Sequence, residues 1–332
     1  MKNSMMSVAD ATRKINEGAV LLLAGSQEAL SQLPKGKWIG GTSVYFVTEE
    51  GGKVDRENVF VTELDQATDA RAVIYAGDDL ANLSMNRFDN GLSMILIPAF
   101  SQAHSEFAIK GAEFPGIFDQ PLLGWITGVH LDDLGSTTPK IFDGATGASF
   151  EEGAAVLHVE MPAGYVADIG ILNLFQPDTE ADLITFSENG FGAKTASVNG
   201  EIVDFAAYLT QKGIDTKLPL VANYAGAMVN VSFQSVDAEK GVAFYAPVVA
   251  GAEYHIAKPT GDYAASFAAK VEGDGANELS CNCILNYLYG ELEGKTTGTF
   301  TGPATFGEIA YILLNQTMVR VGVHPVAQSA VA

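Results

Sequence analysis

The residues with the most distinctive chemistry are two cysteines, Cys281 and Cys283, with Asn282 between them. They are the only cysteines of the chain, so a disulfide framework is excluded. The apolar spacing after Cys283 predicts a helix that begins near Asn282, and a helix N-terminus can lower the pKa of a thiol. Two interpretations stay open: the thiols are reactive or face a ligand, or they are buried and act as small apolar side chains.

Glu308 stands among apolar residues, between Phe306-Gly307 and Ile309. A carboxylate in such a segment has to find a cationic or hydrogen-bonding partner, because desolvation of its charge is costly. Gly307 leaves space for another group to approach the backbone closely. The sequence therefore allows two hypotheses for Glu308: it accepts hydrogen bonds from the ammonium group of a ligand, or it is a structural carboxylate that binds backbone N–H groups.

The segment Gly41-Thr42-Ser43 follows a predicted strand and offers two hydroxyls and several backbone N–H groups. Such a turn can hold a carboxylate as an anion-binding nest, although a bulge or bend in a strand has the same composition. The chain contains neither a phosphate-binding loop nor a nucleophile elbow. Its five histidines lack the spacing of metal ligands. We therefore expect no catalytic residues, no metal and no cofactor.

The elements that must position these residues follow from the hydrophobic pattern. Helices are predicted over residues 7–16, 101–109 and 202–209. A hairpin is predicted from a strand at 38–47 to a return strand at 58–64, with its turn at 49–52.

Short strands alternate with helical stretches along the whole chain, which predicts an α+β (mixed α/β) fold. The local pattern changes near Pro177 without a flexible linker. We expect two intimately packed parts, residues 1–176 and 177–332, each with a mostly antiparallel or mixed sheet flanked by helices.

Six segments, in the same order along the chain, resemble the FIST domain family, a sensory module of signalling proteins. They are Trp38 to Ser43, Leu183 to Tyr208, Ala246 to Ala252, Ser280 to Asn282, Phe306 to Ala310 and Asn315 to Thr317. The resemblance covers residues 15 to 325 and departs from the family at Gly41, where the family often has a cysteine. It implies an N-terminal and a C-terminal FIST part that together bind an amino acid or a similar metabolite. The chain has no room for an output domain, so signalling would need a separate partner protein.

The chain carries 40 acidic and 19 basic side chains, a formal charge of −21. This charge disfavours nucleic acids and anionic membrane surfaces as partners, because both are polyanions. The first residues lack the apolar run of a signal peptide, and no segment reaches the length of a membrane span. We expect a cytoplasmic protein.

The resulting hypothesis is a cytoplasmic, FIST-like protein that binds a small ligand between its two parts. The expected ligand-binding residues are Gly41, Thr42, Ser43, Cys281, Asn282, Gly307, Glu308 and Thr317. Two alternatives remain: an enzyme that uses a cysteine on a small metabolite, which lacks a nearby histidine as base, and a non-catalytic interaction scaffold. The binding role is preferred to both.

Overall fold

The computed structural model describes residues 1–224, 227–271, 273, 275 and 277–326. The helices in these ranges are α1 (Val8–Asn16), α2 (Gln27–Leu30), α3 (Gln102–Lys110), α4 (Phe205–Lys212), α5 (Tyr263–Lys270) and α6 (Ile284–Tyr289). None of the helices in the described ranges is long and apolar enough to cross a membrane.

Strands make up the larger share of the regular structure. They are β1 (Lys2–Met6), β2 (Leu21–Gly25), β3 (Trp38–Thr42), β4 (Tyr45–Thr48), β5 (Gly51–Val54), β6 (Val59–Glu63), β7 (Asp69–Tyr75), β8 (Gly91–Pro98), β9 (Leu122–Thr127), β10 (Ile141–Asp143), β11 (Ala148–Phe150), β12 (Ala154–Glu160), β13 (Tyr165–Leu172), β14 (Ile184–Thr185), β15 (Gly190–Ala193), β16 (Thr195–Val198), β17 (Glu201–Asp204), β18 (Leu220–Tyr224), β19 (Ala227–Val231), β20 (Phe233–Asp237), β21 (Gly241–Val248), β22 (Tyr254–Ile256), β23 (Glu278–Cys283), β24 (Gly302–Thr305), β25 (Glu308–Ala310), β26 (Ile312–Leu314) and β27 (Met318–Pro325).

These strands pair into five sheets. Sheet 1 has the order β1-β6-β2-β3-β10-β11, sheet 2 the order β13-β27-β23-β24-β4-β5, and sheet 3 the order β26-β25-β9-β8-β12-β7. Sheet 4 has the order β17-β16-β14-β22-β18-β19, and sheet 5 the order β15-β21-β20. Most pairs are antiparallel, whereas β2–β3, β8–β9 and β23–β24 are parallel. The mixed sheets and their helices confirm the predicted α+β class.

The main core lies between sheet 3 and the surface formed by sheets 1 and 2. Leu96 and Trp125 of sheet 3 share one apolar cluster with Phe60 of sheet 1 and Val319 of sheet 2. The second face of sheet 3 buries another cluster, where Phe107 of α3 packs. Strand β8 is buried along its entire length because both faces of its sheet are covered.

Helices cover the outer faces of sheets 1 and 2. The cluster on sheet 1 contains Ile15 of α1 and Leu30 of α2, and that on sheet 2 contains Phe267 of α5 and Leu285 of α6. The body of the protein is therefore layered as helix, sheet, sheet and helix. Sheets 4 and 5 enclose a separate aromatic cluster with α4, around Phe205.

Two of the sheets contain strands from both sides of the predicted boundary between residues 176 and 177. In sheet 2, β24 from the second part pairs with β4 from the first. In sheet 3, β25 from the second part pairs with β9 from the first. The two predicted parts are thus joined by backbone hydrogen bonds as well as by side-chain packing. The last six residues of the second part, 327–332, lie outside the described residues.

The local predictions differ in their outcome. Helix α1 begins where predicted, because the Ser7 hydroxyl accepts a hydrogen bond from the Asp10 N–H at 3.1 Å and so caps its first turn. The predicted hairpin is wrong: β4 turns back into β5, whereas β6 pairs with β1 and β2 in another sheet. The helix predicted over 202–209 begins three residues later, after the strand β17.

We expect limited proteolysis between β13 and β14 to leave a nicked protein that stays together. The reason is that sheets 2 and 3 hold backbone pairs across this point, and separation of the fragments would leave those N–H and C=O groups unpaired in exposed apolar surfaces. Size-exclusion chromatography of the nicked protein without denaturant measures this. Two separate peaks, each with its own cooperative unfolding transition, would contradict the expectation.

Candidate functional site

A cavity of about 420 Å³ lies where α3, α6 and sheet 5 meet, and we call it the α3–α6 cavity. Its walls are mostly aromatic and aliphatic, with Phe100, Leu131, Phe191, Phe244, Leu285 and Phe306 among the lining residues. Some of these residues come from before the predicted boundary at 176 and 177 and others from after it. The cavity therefore lies between the two predicted parts of the chain.

His104 of α3 presents a hydrogen-bond donor at this cavity. Its Nδ1 accepts the backbone N–H of Phe100 at 3.3 Å, so the ring hydrogen is on Nε2. The Nε2 atom is buried and has no partner in the described part of the chain. Burial lowers the pKa of His104 to about 4. At neutral pH His104 is thus an uncharged ring whose free N–H can donate to a bound molecule.

Asn315, which lies between β26 and β27, presents a hydrogen-bond acceptor at the same cavity. Its side chain is buried, and its Nδ2 donates to the Leu314 carbonyl at 3.1 Å. Its Oδ1 is buried without a partner among the described residues. The Asn315 carbonyl in turn accepts the Nδ2 of Asn230 at 3.0 Å, which fixes this segment against β19. An unsatisfied buried acceptor costs about 1–3 kcal/mol, so a ligand donor here would contribute to binding.

Glu308 lies one side chain away from the cavity. The first residue of β25, it is fully buried. Its Oε2 accepts the Thr317 hydroxyl at 2.8 Å and the Thr317 N–H at 3.2 Å, and its Oε1 lies 3.5 Å from the Thr305 hydroxyl. Burial raises the pKa of Glu308 to about 8, and the hydrogen bonds from Thr317, Cys283 and Thr305 offset only part of that effect. Glu308 is therefore mostly protonated at neutral pH.

Cys283 connects Glu308 to the cavity. It is the last residue of β23 and precedes α6, it lines the cavity, and its side chain contributes to the pKa of Glu308. Burial raises the pKa of the Cys283 thiol well above its usual value, and the Glu308 carboxylate raises it further. The sequence suggested the opposite direction. Burial is the largest cause of this shift, although the thiol lies at the N-terminus of the six-residue helix α6.

Cys281 differs from Cys283 although only one residue separates them. It is fully buried, does not line the cavity, and its thiol donates to the Gly124 carbonyl at 3.4 Å. Burial raises its pKa as well. Both thiols are free. Asn282, between them, accepts at Oδ1 the Nδ2 of Asn286 at 2.9 Å and the Tyr263 hydroxyl at 3.4 Å.

The segment Gly41-Thr42-Ser43 lies at the junction of sheets 1 and 2, where its polar groups bind the protein itself. The N–H of Thr42 donates to Lys140 and that of Ser43 to Gly25, both at 2.9 Å. The Ser43 hydroxyl donates to the carbonyl of Ala304 at 3.0 Å. These N–H groups, expected to hold an anion, are thus occupied by backbone carbonyls.

Both predicted glycines allow close packing of the interior. A Cβ on Gly41 would lie 2.6 Å from the Cγ2 of Thr127, and a Cβ on Gly307 would lie 3.1 Å from the Cδ1 of Leu313. The Gly307 carbonyl accepts the Ile126 N–H at 2.8 Å. The neighbour of each glycine is therefore a protein side chain.

Four of the eight predicted residues come together around the buried carboxyl, namely Asn282, Gly307, Glu308 and Thr317. Thr317 is hydrogen-bonded to Glu308, and the Thr305 hydroxyl, which approaches Glu308, lies 3.3 Å from the Asn282 carbonyl and 3.2 Å from the Gly307 carbonyl. None of the eight lines the α3–α6 cavity. Among the described residues, no group of three or more His, Cys, Asp or Glu side chains is arranged to hold a metal ion.

Sequence reasoning missed His104 and Asn315, the two residues of the cavity lining with a buried polar atom that has no partner among the described residues. His104 was considered only as a metal ligand, and the helix that carries it was predicted without a role for the histidine. Asn315 stands in the Asn-Gln-Thr segment of the FIST resemblance, which offered a signal, but only Thr317 was chosen from it. What distinguishes both residues is a buried polar atom without a partner, and this depends on tertiary structure.

Comparison with known proteins gives a family without an assigned function. No curated protein matches the chain. A family model described as a family of unknown function, DUF6976, matches residues 6–324. The resemblance to FIST domains stays a prediction, since neither comparison bears on it. Because the match spans nearly the whole chain, this protein belongs to the DUF6976 family.

Proposed function

We propose that this protein binds a small, uncharged and largely apolar molecule in the α3–α6 cavity. The observation that carries the proposal is the pair of buried, unpartnered polar atoms in an apolar lining, the Nε2–H of His104 and the Oδ1 of Asn315. Proteins seldom leave such atoms unpaired, and ligand sites characteristically combine apolar walls with a few placed polar groups.

The lining restricts the chemistry of the ligand. It contains no Lys, Arg, Asp or Glu side chain, and its histidine is uncharged at neutral pH. A charged ligand would lose its hydration without gaining an opposite charge, which is costly. A suitable molecule has one acceptor for His104, one donor for Asn315 and an apolar remainder. The volume of about 420 Å³ suits a small metabolite.

A free amino acid, the ligand expected from the sequence, fits this lining less well. Its ammonium group was expected to meet Glu308, but Glu308 does not line the cavity and is mostly protonated at neutral pH. Its carboxylate was expected to meet the N–H groups of Thr42 and Ser43, which already donate within the protein. An uncharged molecule with an amide or hydroxyl group matches the cavity better.

The biological setting of this proposal rests on the sequence. The resemblance to FIST domains supports a sensory role in which ligand binding is passed to a separate signalling partner. The free, buried thiols support a cytoplasmic location. The buried unpartnered atoms favour a binding protein over a scaffold, because a scaffold gains nothing from them.

A thermal-shift screen of uncharged small molecules tests the proposal, since a ligand that binds only the folded state raises the melting temperature. His104→Phe and Asn315→Leu are each expected to weaken binding of a hit by about tenfold to a hundredfold, because a ligand polar group is left unpaired. Gln102→Ala, at an exposed position of the same helix, is the matched control and should bind normally. Equal affinity in all three variants would place the ligand elsewhere.

A further inference from the structure

We infer that the α3–α6 cavity is one half of a longer binding channel, which takes an uncharged secondary amide with two unlike ends. One end is an apolar chain, which lies in the α3–α6 cavity. The other end carries hydroxyl groups and lies in a second cavity between α4, β20 and the end of α6, which we call the α4–β20 cavity. The inference rests on the proposed binding function and adds the class and the orientation of the ligand.

The α4–β20 cavity has a volume of about 340 Å³ and adjoins the α3–α6 cavity. Gln234 and Tyr289 line both cavities, so their side chains form the boundary between the two spaces. Both lie at the surface, where Gln234 is exposed and Tyr289 is 39% exposed. Exposed side chains change rotamer within nanoseconds. A chain molecule that fills the first cavity can therefore continue into the second by displacing these two side chains.

Sheet 5 is irregular where it borders the channel. In the pair of β20 with β21, the register shifts between Phe233 and Ser235, which leaves Gln234 as an extra residue without a partner on β21. Such a β-bulge redirects a side chain, and bulges are frequent next to functional sites. In the pair of β15 with β21, the register shifts around Phe191, which lines the α3–α6 cavity. The two register shifts of this sheet thus lie at residues of the channel wall.

The two cavities differ in polarity. The walls of the α3–α6 cavity are mostly apolar, whereas the α4–β20 cavity presents three hydroxyls and an amide, from Thr210, Thr216, Ser235 and Gln234. The Thr210 hydroxyl donates to the Ala206 carbonyl at 2.8 Å and can still accept a hydrogen bond. The other three side chains can each donate and accept. A ligand that spans both cavities therefore needs an apolar end and a polar end.

The α4–β20 cavity suits hydroxyl groups better than a charged group. Its lining contains no Lys, Arg, Asp or Glu side chain among the described residues, so neither a cation nor an anion finds an opposite charge there. Thr210 lies in the last turn of α4, where the backbone carbonyls carry the negative end of the helix dipole. This end repels an anionic group and attracts the hydrogen of a hydroxyl donor. The polar end of the ligand is therefore uncharged and hydroxylated.

The amide of the ligand has its partners in the α3–α6 cavity. Its carbonyl oxygen accepts the Nε2–H of His104, and its N–H donates to the Oδ1 of Asn315; both are buried atoms without a partner in the described part of the chain. A secondary amide offers one acceptor and one donor without a charge. It also has a substituent on either side, so that each cavity receives one end of the molecule.

Three hexanamides measure what each half of the channel contributes. N-methylhexanamide has only the apolar chain and the amide. N-(2,3-dihydroxypropyl)hexanamide adds the hydroxylated end, and N-(2-methylbutyl)hexanamide has methyl groups in place of the two hydroxyls. Isothermal titration calorimetry with the native protein gives the three dissociation constants. We expect the dihydroxypropyl compound to bind about tenfold more tightly than either of the others, because each neutral hydrogen bond strengthens binding a few-fold.

Variants of the α4–β20 cavity locate the hydroxylated end. Thr216→Val and Ser235→Ala each remove a hydroxyl from this cavity, and neither residue lines the α3–α6 cavity. Each should weaken the dihydroxypropyl compound by about threefold to tenfold and leave N-methylhexanamide unaffected, which also shows that the variant is folded. Thr195→Val, the same change at an exposed position of β16, is the matched control and should bind all three compounds normally. His104→Phe should weaken all three.

The outcomes separate this inference from the proposed function. If N-methylhexanamide binds but the dihydroxypropyl compound binds no more tightly, the inference is wrong and the binding function stands. The inference is also wrong if the 2-methylbutyl compound binds as tightly as the dihydroxypropyl compound, or if Thr216→Val and Ser235→Ala both leave the gain in affinity unchanged. If no hexanamide binds, the inference fails, and the thermal-shift screen of other uncharged molecules decides the proposed function.

Discussion

Replacement of Glu308 by glutamine is expected to stabilise the protein by about 5 kcal/mol at pH 9 and to change its stability little at pH 4.5. Burial raises the pKa of this carboxyl from its ordinary value of 4.5 to about 8 in the folded protein. Protonation therefore favours the folded state. In the native protein, the stability that the protonated carboxyl provides is complete below pH 4.5. It is lost as the pH rises through 8, where the buried side chain has to carry a charge.

Glutamine removes that ionisation while it keeps the volume and the acceptor for Thr317. Urea unfolding of both proteins at pH 4.5, 7 and 9 measures the difference, which should grow with pH. Glu49→Gln is the matched control, because Glu49 is exposed in the turn between β4 and β5. A Glu308→Gln variant that is less stable than the native protein at every pH would show that the carboxylate is compensated and structural.

The fold class could be predicted from the sequence because it depends on local signals. Ser7 before an amphipathic run, for example, marks the start of α1, and this cap is present. Strand partners could not be predicted in the same way. The chain from β4 through β5 to β6 reads as one hairpin with a long turn, but β6 inserts between β1 and β2. The choice between these partners depends on apolar residues far apart in sequence, such as Phe60 and Trp125, which share one buried cluster.

Only part of the candidate site could be predicted from the sequence, for the same reason. A carboxylate among apolar residues identified Glu308 as unusual, and the structure shows it fully buried. Its partners could not be derived, because Thr317 approaches it only through the antiparallel turn from β25 to β26. His104 and Asn315 are separated by more than two hundred residues, and the packing of α3 against β26, the strand that precedes Asn315, brings both to one cavity.

Acid is expected to destabilise the protein by about 3 kcal/mol for each of two buried histidines, His104 and His158, as the pH falls from 6.5 to 4. His158 is fully buried between the Ser93 and Tyr75 hydroxyls, each 2.9 Å from a ring nitrogen. Burial lowers the pKa of both histidines to about 4. For His158 the positive charges of Arg87 and Arg71 lower it further.

Because these pKa values lie below the ordinary 6.5, the unfolded chain binds protons that the folded protein cannot accept. The stability that the two neutral rings provide is complete above pH 6.5 and is lost progressively down to pH 4. Urea unfolding between pH 7 and pH 4 measures this loss. His158→Gln and His104→Phe should each reduce it by about 3 kcal/mol, and the double variant by about twice that, since the residues lie in different surroundings. The readout is the dependence on pH, because either substitution also changes packing at every pH. If the unfolding free energy of the double variant depends on pH as that of the native protein does, the acid sensitivity arises from other groups. His104 would then not be a buried, neutral hydrogen-bond donor at the cavity.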